Sequence, residues 1–122
     1  MNQNFPRTHR INELLKRELA LLIQKNIKDP RIKLVTVSYV DISPDLKQAK
    51  VYITSMEQDK ARINAQLNVL NKAGEFFKRN LYQRVDLRVV PNLKFLYDNS
   101  IEHGNYLRSL IDKVVKENHH LP

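Results

Sequence analysis

Apolar residues recur at helical spacing through the first part of the chain. Ile11, Leu14, Leu15, Leu19, Leu22 and Ile23 share one side, and Arg10, Glu13, Arg17 and Gln24 take the other. This spacing predicts a helix over 7–27. Glu13 and Arg17 form a favourable pair one turn apart, and Pro6 suits the first turn. Asp29-Pro30 ends the helix, because proline drives the residue before it out of the helical region. The period then changes to two. Val35 and Val37 alternate with Thr36 and Ser38, after which the apolar phase moves to Val40 and Ile42; a bulge near Tyr39 accounts for the shift. Ser43-Pro44-Asp45-Leu46 reads as a turn with proline in its second position. On the return strand Ala49, Val51 and Ile53 face one way, and Lys50, Tyr52 and Thr54 the other.

Helical spacing resumes over 59–84, where Ile63, Leu67, Leu70, Gly74, Phe77 and Leu81 form one stripe. Gly74 sits in mid-stripe, where glycine costs about 1 kcal/mol relative to alanine. It marks a kink or a close backbone approach. Val85, Leu87 and Val89 then alternate with Asp86 and Arg88 as a third strand. Pro91 confines its end to an edge or a bulge, and Leu93, Phe95 and Tyr97 resume the alternation. A last helix begins near Asp98 or Ser100, both good N-caps, and runs through Leu107, Leu110, Ile111 and Val114. The order is helix, strand, strand, broken helix, strand, helix. That is an α+β layer, a three-stranded sheet with helices on one face. With 122 residues and no linker or repeat, one domain is expected: a short extension at 1–6, the folded unit at 7–117 and a frayed tail at 118–122.

Composition narrows the function classes. Lys and Arg number 21 against 13 Asp and Glu, a net charge of +8, which favours polyanionic partners. From Lys60 to Arg88 seven basic residues face only Glu75 and Asp86. A solvated helix surface would explain such a run equally well. The chain has no cysteine, which rules out disulfides and thiolate chemistry and fits a reducing cytosol. The first apolar run, Leu19 to Ile23, is too short for a signal peptide, and nothing approaches a membrane span. A cytoplasmic monomer is expected.

Residues for catalysis are missing. With only two glycines, Gly74 and Gly104, there is no phosphate-cradling loop of the nucleotide-binding kinds. His9, His103, His119 and His120 show no metal-ligand spacing, Asp41 and Asp45 flank a turn, and no serine has a recognisable base partner. Neither metal, cofactor nor enzymatic activity is expected. What remains is a polar band. On the helix over 59–84, Asn68, Lys72, Glu75 and Arg79 form one row, and Asn64, Asn71 and Lys78 the next. Lys and Arg supply charge for phosphate, and asparagine can bond sugars or base edges. Arg84 extends the charge. Lys25, Lys28, Arg31 and Lys33 make a second basic cluster, whose position relative to the first does not follow from the sequence.

Three segments, in this order, resemble the ribosome-binding factor A family. They are Lys28-Asp29-Pro30-Arg31-Ile32 with Val35-Thr36-Val37, then Asp41-Ile42-Ser43-Pro44-Asp45-Leu46 with Ala49-Lys50-Val51-Tyr52, and finally Leu87-Arg88-Val89-Val90-Pro91-Asn92-Leu93-Lys94-Phe95 with Tyr97-Asp98-Asn99-Ser100-Ile101. The resemblance spans 7–111. It implies a KH-like fold of the second topological type with a C-terminal helix, and a kink of the form Ala-x-Gly in place of the usual Gly-x-x-Gly loop. The matching positions are Ala73, Gly74 and Glu75, so glycine stands in the middle and an acid takes the last place. The weight therefore falls on Lys72, Lys78 and Arg79, with Arg84, Asn68, Asn71, Arg31 and Lys33 as further RNA contacts. By resemblance, such proteins bind 16S rRNA of the free or immature 30S subunit, near its 5′-terminal helix and decoding region. They assist late maturation without catalysis and matter in the cold. The alternatives are a KH-like binder of other transcripts and a basic protein-interaction module.

Overall fold

The computed structural model describes residues 6–26, 30–32, 35–100 and 108–115, the side chains of Pro6, Arg7, Asn26 and Arg31 excepted. Helix α1 spans Pro6–Asn26 and buries Ile11, Leu15, Leu19, Leu22 and Ile23. The stop expected at Asp29 lies outside the described residues; beyond it Pro30–Ile32 form one turn of 3₁₀ helix. Strands β1 (Val35–Ile42) and β2 (Gln48–Ser55) form the expected antiparallel hairpin. Its register shifts between Val37 and Tyr39. The extra residue is Ser38, and it returns Val40 and Ile42 to the side on which Val37 is buried. Asn12 of α1 ties this strand down: its side-chain oxygen accepts the Ile42 N–H at 2.9 Å.

The turn is stitched by its own polar residues. The Ser43 hydroxyl donates to Asp45 at 2.6 Å and accepts the Gln48 N–H at 3.0 Å. Asp45 also accepts the Lys47 N–H at 3.0 Å. The hydrogen bond from Ser43, then that from Lys47, holds the exposed Asp45 carboxyl below its usual range. These bonds keep Leu46 at a φ of 64°, a left-handed conformation that costs an L-residue roughly 1–2 kcal/mol.

Strand β3 spans Asn92–Tyr97 and pairs parallel with β2, giving the order β1-β2-β3. The strand predicted at Val85–Val89 does not form. The first β2–β3 pair is Gln48 with Asn92, and Gln48 is where β2 begins. Residues upstream of Asn92 therefore lie beyond the end of their only neighbouring strand. The segment 85–91 instead runs irregularly, anchored by buried Val85, Val90 and Pro91, with Val89 exposed. Its alternation reflects anchoring points rather than a ladder.

The broken helix is α2 (Lys60–Lys72) followed by α3 (Gly74–Arg84). Asp59 caps α2 by accepting the Ala61 N–H at 3.1 Å. Ile63, Leu70, Phe77 and Leu81 of the predicted stripe are buried. Leu70, Phe77 and Leu81 join Leu15 and Leu19 of α1 against Val51, Ile53 and Phe95 of the sheet in one core. Each such side chain contributes about 1.5–3 kcal/mol by leaving water. The rings of Phe77 and Phe95 meet at 5.2 Å between centroids. Helices α1, α2 and α3 cover one face of the sheet, in the element order of a type II KH domain.

After β3, the Asp98 N–H donates to the Ile53 carbonyl at 2.7 Å. The Asp98 carboxylate accepts hydrogen bonds from the Ser38 hydroxyl and, at 3.0 Å, from the Ser100 N–H. Burial pushes this carboxyl up, but the bonds from Ser38 and Ser100 outweigh it and leave the group below its usual range. Of the last predicted helix, 101–107 lie outside the described residues. Residues 108–115 are helical and exposed, Leu110, Ile111 and Val114 included.

Candidate nucleic-acid interface

The expected kink is present, and its centre is Ala73. With φ −87° and ψ 8° this residue leaves the helical region, while its N–H still reaches the carbonyls of Val69 and Leu70, both at 3.1 Å. Gly74 is the first residue of α3. It has no positive φ, and a Cβ placed on it would meet only the Leu93 carbonyl oxygen at 4.0 Å, an ordinary contact. Neither strain nor crowding demands glycine here. Glu75 occupies the first turn of α3, where its charge suits the positive helix end and competes with any incoming anion.

The polar band divides on either side of this kink. Asn71, itself exposed, reaches across to the free edge of β3. Its side-chain oxygen accepts the Phe95 N–H at 2.8 Å and its amide donates to the Phe95 carbonyl at 3.1 Å. One amide thus stands in for a fourth strand, satisfying two backbone groups that the sheet leaves unpaired. These two bonds use one N–H and one lone pair of the amide, which keeps a second N–H and a second lone pair on this exposed side chain. Asn68 and Lys72 are exposed as well.

Beyond the kink, the charges point outward. Lys78 and Arg79 line an open cleft of about 540 Å³ together with Glu75, Tyr82, Arg88 and Val89. The cleft lies between α3 and the irregular 85–91 segment. Lys78 reaches Asn92 at the start of β3 at 2.8 Å. Tyr82 is 70% exposed and Val89 51%, so an aromatic and an apolar surface stand among three cations. That combination suits an unpaired nucleotide, with a π-face to stack and a phosphate to neutralise. Arg84 points elsewhere: it pairs with Glu18 of α1 at 2.7 Å, clamping α3 to α1.

Lys72, Lys78, Arg79 and Asn68, which helical spacing sets in the polar band, lie on exposed or partly exposed surface. Arg88 and Tyr82 are cleft residues outside that band. Tyr82 follows Arg79 by three positions, so helical spacing already set it beside that cation. Arg88 belonged to the same basic run, but reading 85–89 as a strand separated it from α3. Of the second cluster, the 3₁₀ turn packs against α2 with Ile32 buried. The Arg31 side chain, Lys28 and Lys33 lie outside the described residues. Among the described residues no cluster of His, Asp and Glu is arranged to hold a metal ion, and no helix is long and apolar enough to cross a membrane.

Comparisons with known proteins converge on one family. The model of the family described as ribosome-binding factor A matches residues 7–111. Ribosome-binding factor A of Nitrosococcus oceani is 55% identical over 117 residues, covering 96% of this chain and 91% of that protein. The crystal structure of ribosome-binding factor A from Thermus thermophilus superposes with a TM-score of 0.65 at 32% identity, over 74% of this chain and 94% of that one. A Thermus thermophilus ribosome binding factor A model fitted into the cryo-electron-microscopy map of a 30S–RbfA complex gives a TM-score of 0.61 at 33% identity, over 72% and 91% of the two chains. The chain belongs to the ribosome-binding factor A family.

Proposed function

We propose that this protein is a cytoplasmic ribosome-assembly factor that binds 16S rRNA of the free or immature 30S subunit, near its 5′-terminal helix and decoding region. It assists late maturation, including in the cold, as a monomer and without catalysis or cofactor. The observation that carries the reading is the cleft where Lys78, Arg79 and Arg88 surround exposed Tyr82, in a chain whose family includes a protein fitted into a 30S complex. The mechanism is binding alone. A protein of this kind shifts an rRNA folding equilibrium by the difference in its affinity for the two rRNA states. The cations supply affinity and the tyrosine supplies preference for an unpaired base, so a conformation with a splayed nucleotide is held in preference to its paired competitor.

Sedimentation of cell extract through sucrose gradients tests the assignment. The protein is expected to travel with 30S particles and to be enriched on precursors when maturation is slowed by cold. Absence from those fractions in precursor-rich cells would overturn it, and crosslinks dominated by messenger RNA would favour a general RNA binder instead. With about four phosphate contacts, log affinity for an rRNA fragment falls against log salt with a slope of roughly −3 to −4. A flat response would contradict phosphate recognition.

A further inference from the structure

The sheet has a second face, which the three described helices α1 to α3 do not cover. Its middle row is aromatic. Tyr39 and Tyr52 are register partners across β1 and β2, and their rings stack at 4.3 Å between centroids and 13° between planes. Leu96 of β3 is the register partner of Tyr52 and continues the row. Tyr39 is 44% exposed. A hydrophobic core does not need this pair, since the core lies on the opposite side of the sheet, with Val51 and Ile53.

The neighbouring row is charged in an unfavourable way. Lys50 and Lys94 are register partners on adjacent strands, and both are exposed. Like charges directly opposite one another destabilise a sheet. Asp41, the partner of Lys50 on its other side, offsets one of the two cations. Asp98 stands four residues beyond Lys94, buried against Ser38. At the Lys50–Lys94 pair itself one cation is therefore in excess, beside an aromatic stack whose outer ring, Tyr39, is exposed. An anion bridging the two lysines would relieve their repulsion.

We propose that this open face is a second RNA-contact surface, taking one unpaired nucleotide whose base stacks on the Tyr39–Tyr52 pair and whose phosphate lies between Lys50 and Lys94. The inference rests on the reading of the protein as an RNA binder and adds a site on the side of the sheet away from α3. Base–aromatic stacking tolerates any base, because every base has a π-face. The face would grip single-stranded RNA and ignore a duplex, whose bases are already stacked. Two single-strand contacts on opposite sides of one thin domain would let it hold two strands of a helix apart.

Fluorescence anisotropy with labelled oligoadenylate and with a labelled RNA hairpin of equal charge, its loop replaced by a non-nucleotide linker, tests this. The proteins are wild type, Tyr39→Leu, Tyr39→Phe and the cleft variant Lys78→Glu/Arg79→Glu, each checked for an unchanged thermal midpoint. Tyr39→Leu is expected to weaken oligoadenylate about tenfold and leave the hairpin unchanged, while Tyr39→Phe keeps both affinities. Lys50→Gln/Lys94→Gln should weaken oligoadenylate and reduce its salt slope by about one to two. Wild-type oligoadenylate affinity in Tyr39→Leu overturns the second site and leaves the cleft reading intact. Full loss in Tyr39→Leu with no effect of the cleft variant overturns the cleft reading and supports the sheet face. Should Tyr39→Leu lower the midpoint, quenching of tyrosine fluorescence by oligoadenylate in Tyr39→Phe, compared with wild type, decides the matter. The signal is expected to drop by the share that Tyr39 contributed, and an undiminished quench would contradict stacking there.

Discussion

The end of α2 and the body of α3 both carry polar residues at helical spacing, yet those residues have different partners. Asn71 spends its amide on the edge of β3, with two bonds to Phe95. Seven and eight residues later, Lys78 and Arg79 line an open cleft with Arg88. The change of role coincides with Ala73, where the chain leaves the helical region for one residue. Two residues before the kink Asn71 serves the edge of the sheet, and beyond it Lys78 and Arg79 line the cleft. A basic band read from helical spacing mixes these two uses.

The largest expected effect is on the outward side. Lys78→Glu/Arg79→Glu/Arg88→Glu should weaken binding to 30S particles by at least about 100-fold while moving the thermal midpoint little, because exposed charges contribute about 0–1 kcal/mol each to stability. Co-sedimentation and a melting curve read the two quantities. On the inward side the pattern reverses. Asn71→Ala leaves the Phe95 N–H and carbonyl without partners and should cost about 1–3 kcal/mol, seen as a lower urea midpoint. Asn68→Ala, one turn away and likewise exposed, touches neither Phe95 bond and should stay within about 0.5 kcal/mol. Equal losses in the two variants would erase the distinction between them.

Asp98 is another inward polar group, and its effect depends on pH. Its carboxyl is held low in the folded protein, so its contribution is fully present above the unfolded value near 4. It is lost as pH falls through the lower folded value. Stability measured from pH 6 down to pH 2 should therefore fall more steeply in the wild type than in Asp98→Asn. A smaller effect is expected at the junction itself. Gly74→Ala should raise stability by up to about 1 kcal/mol, since the site has an ordinary φ and room for a methyl group. A loss of stability would show that the glycine is required after all.

The fold was largely legible because its signals are local and agree with one another. The change of apolar period separated α1 from the hairpin, the phase shift located the bulge beside Tyr39, and the broken stripe located the kink. Residues 85–89 misled because alternation records burial on alternate sides, while a strand also needs a neighbour at the same level. That neighbour ends at Gln48, which no local pattern reveals. The candidate site was legible as charge and only partly as geometry. Lys78 and Arg79 follow from helical spacing because α3 presents them together. Arg88 and Tyr82 joined them only once the 85–91 segment was seen to fold beside α3. Arg84 and Asn71 are engaged by Glu18 and Phe95, contacts that span 66 and 24 residues of sequence and lie beyond any helical spacing rule.

The most direct measurement is a paired one: affinity for immature 30S particles and thermal midpoint, taken on Asn71→Ala and on Lys78→Glu/Arg79→Glu/Arg88→Glu. The predicted result is crossed. Asn71→Ala loses stability and, at temperatures where it is folded, keeps wild-type affinity; the triple reversal keeps its midpoint and loses affinity. Wild-type affinity in the triple reversal, or lost affinity at an unchanged midpoint in Asn71→Ala, would contradict the division of the band at Ala73.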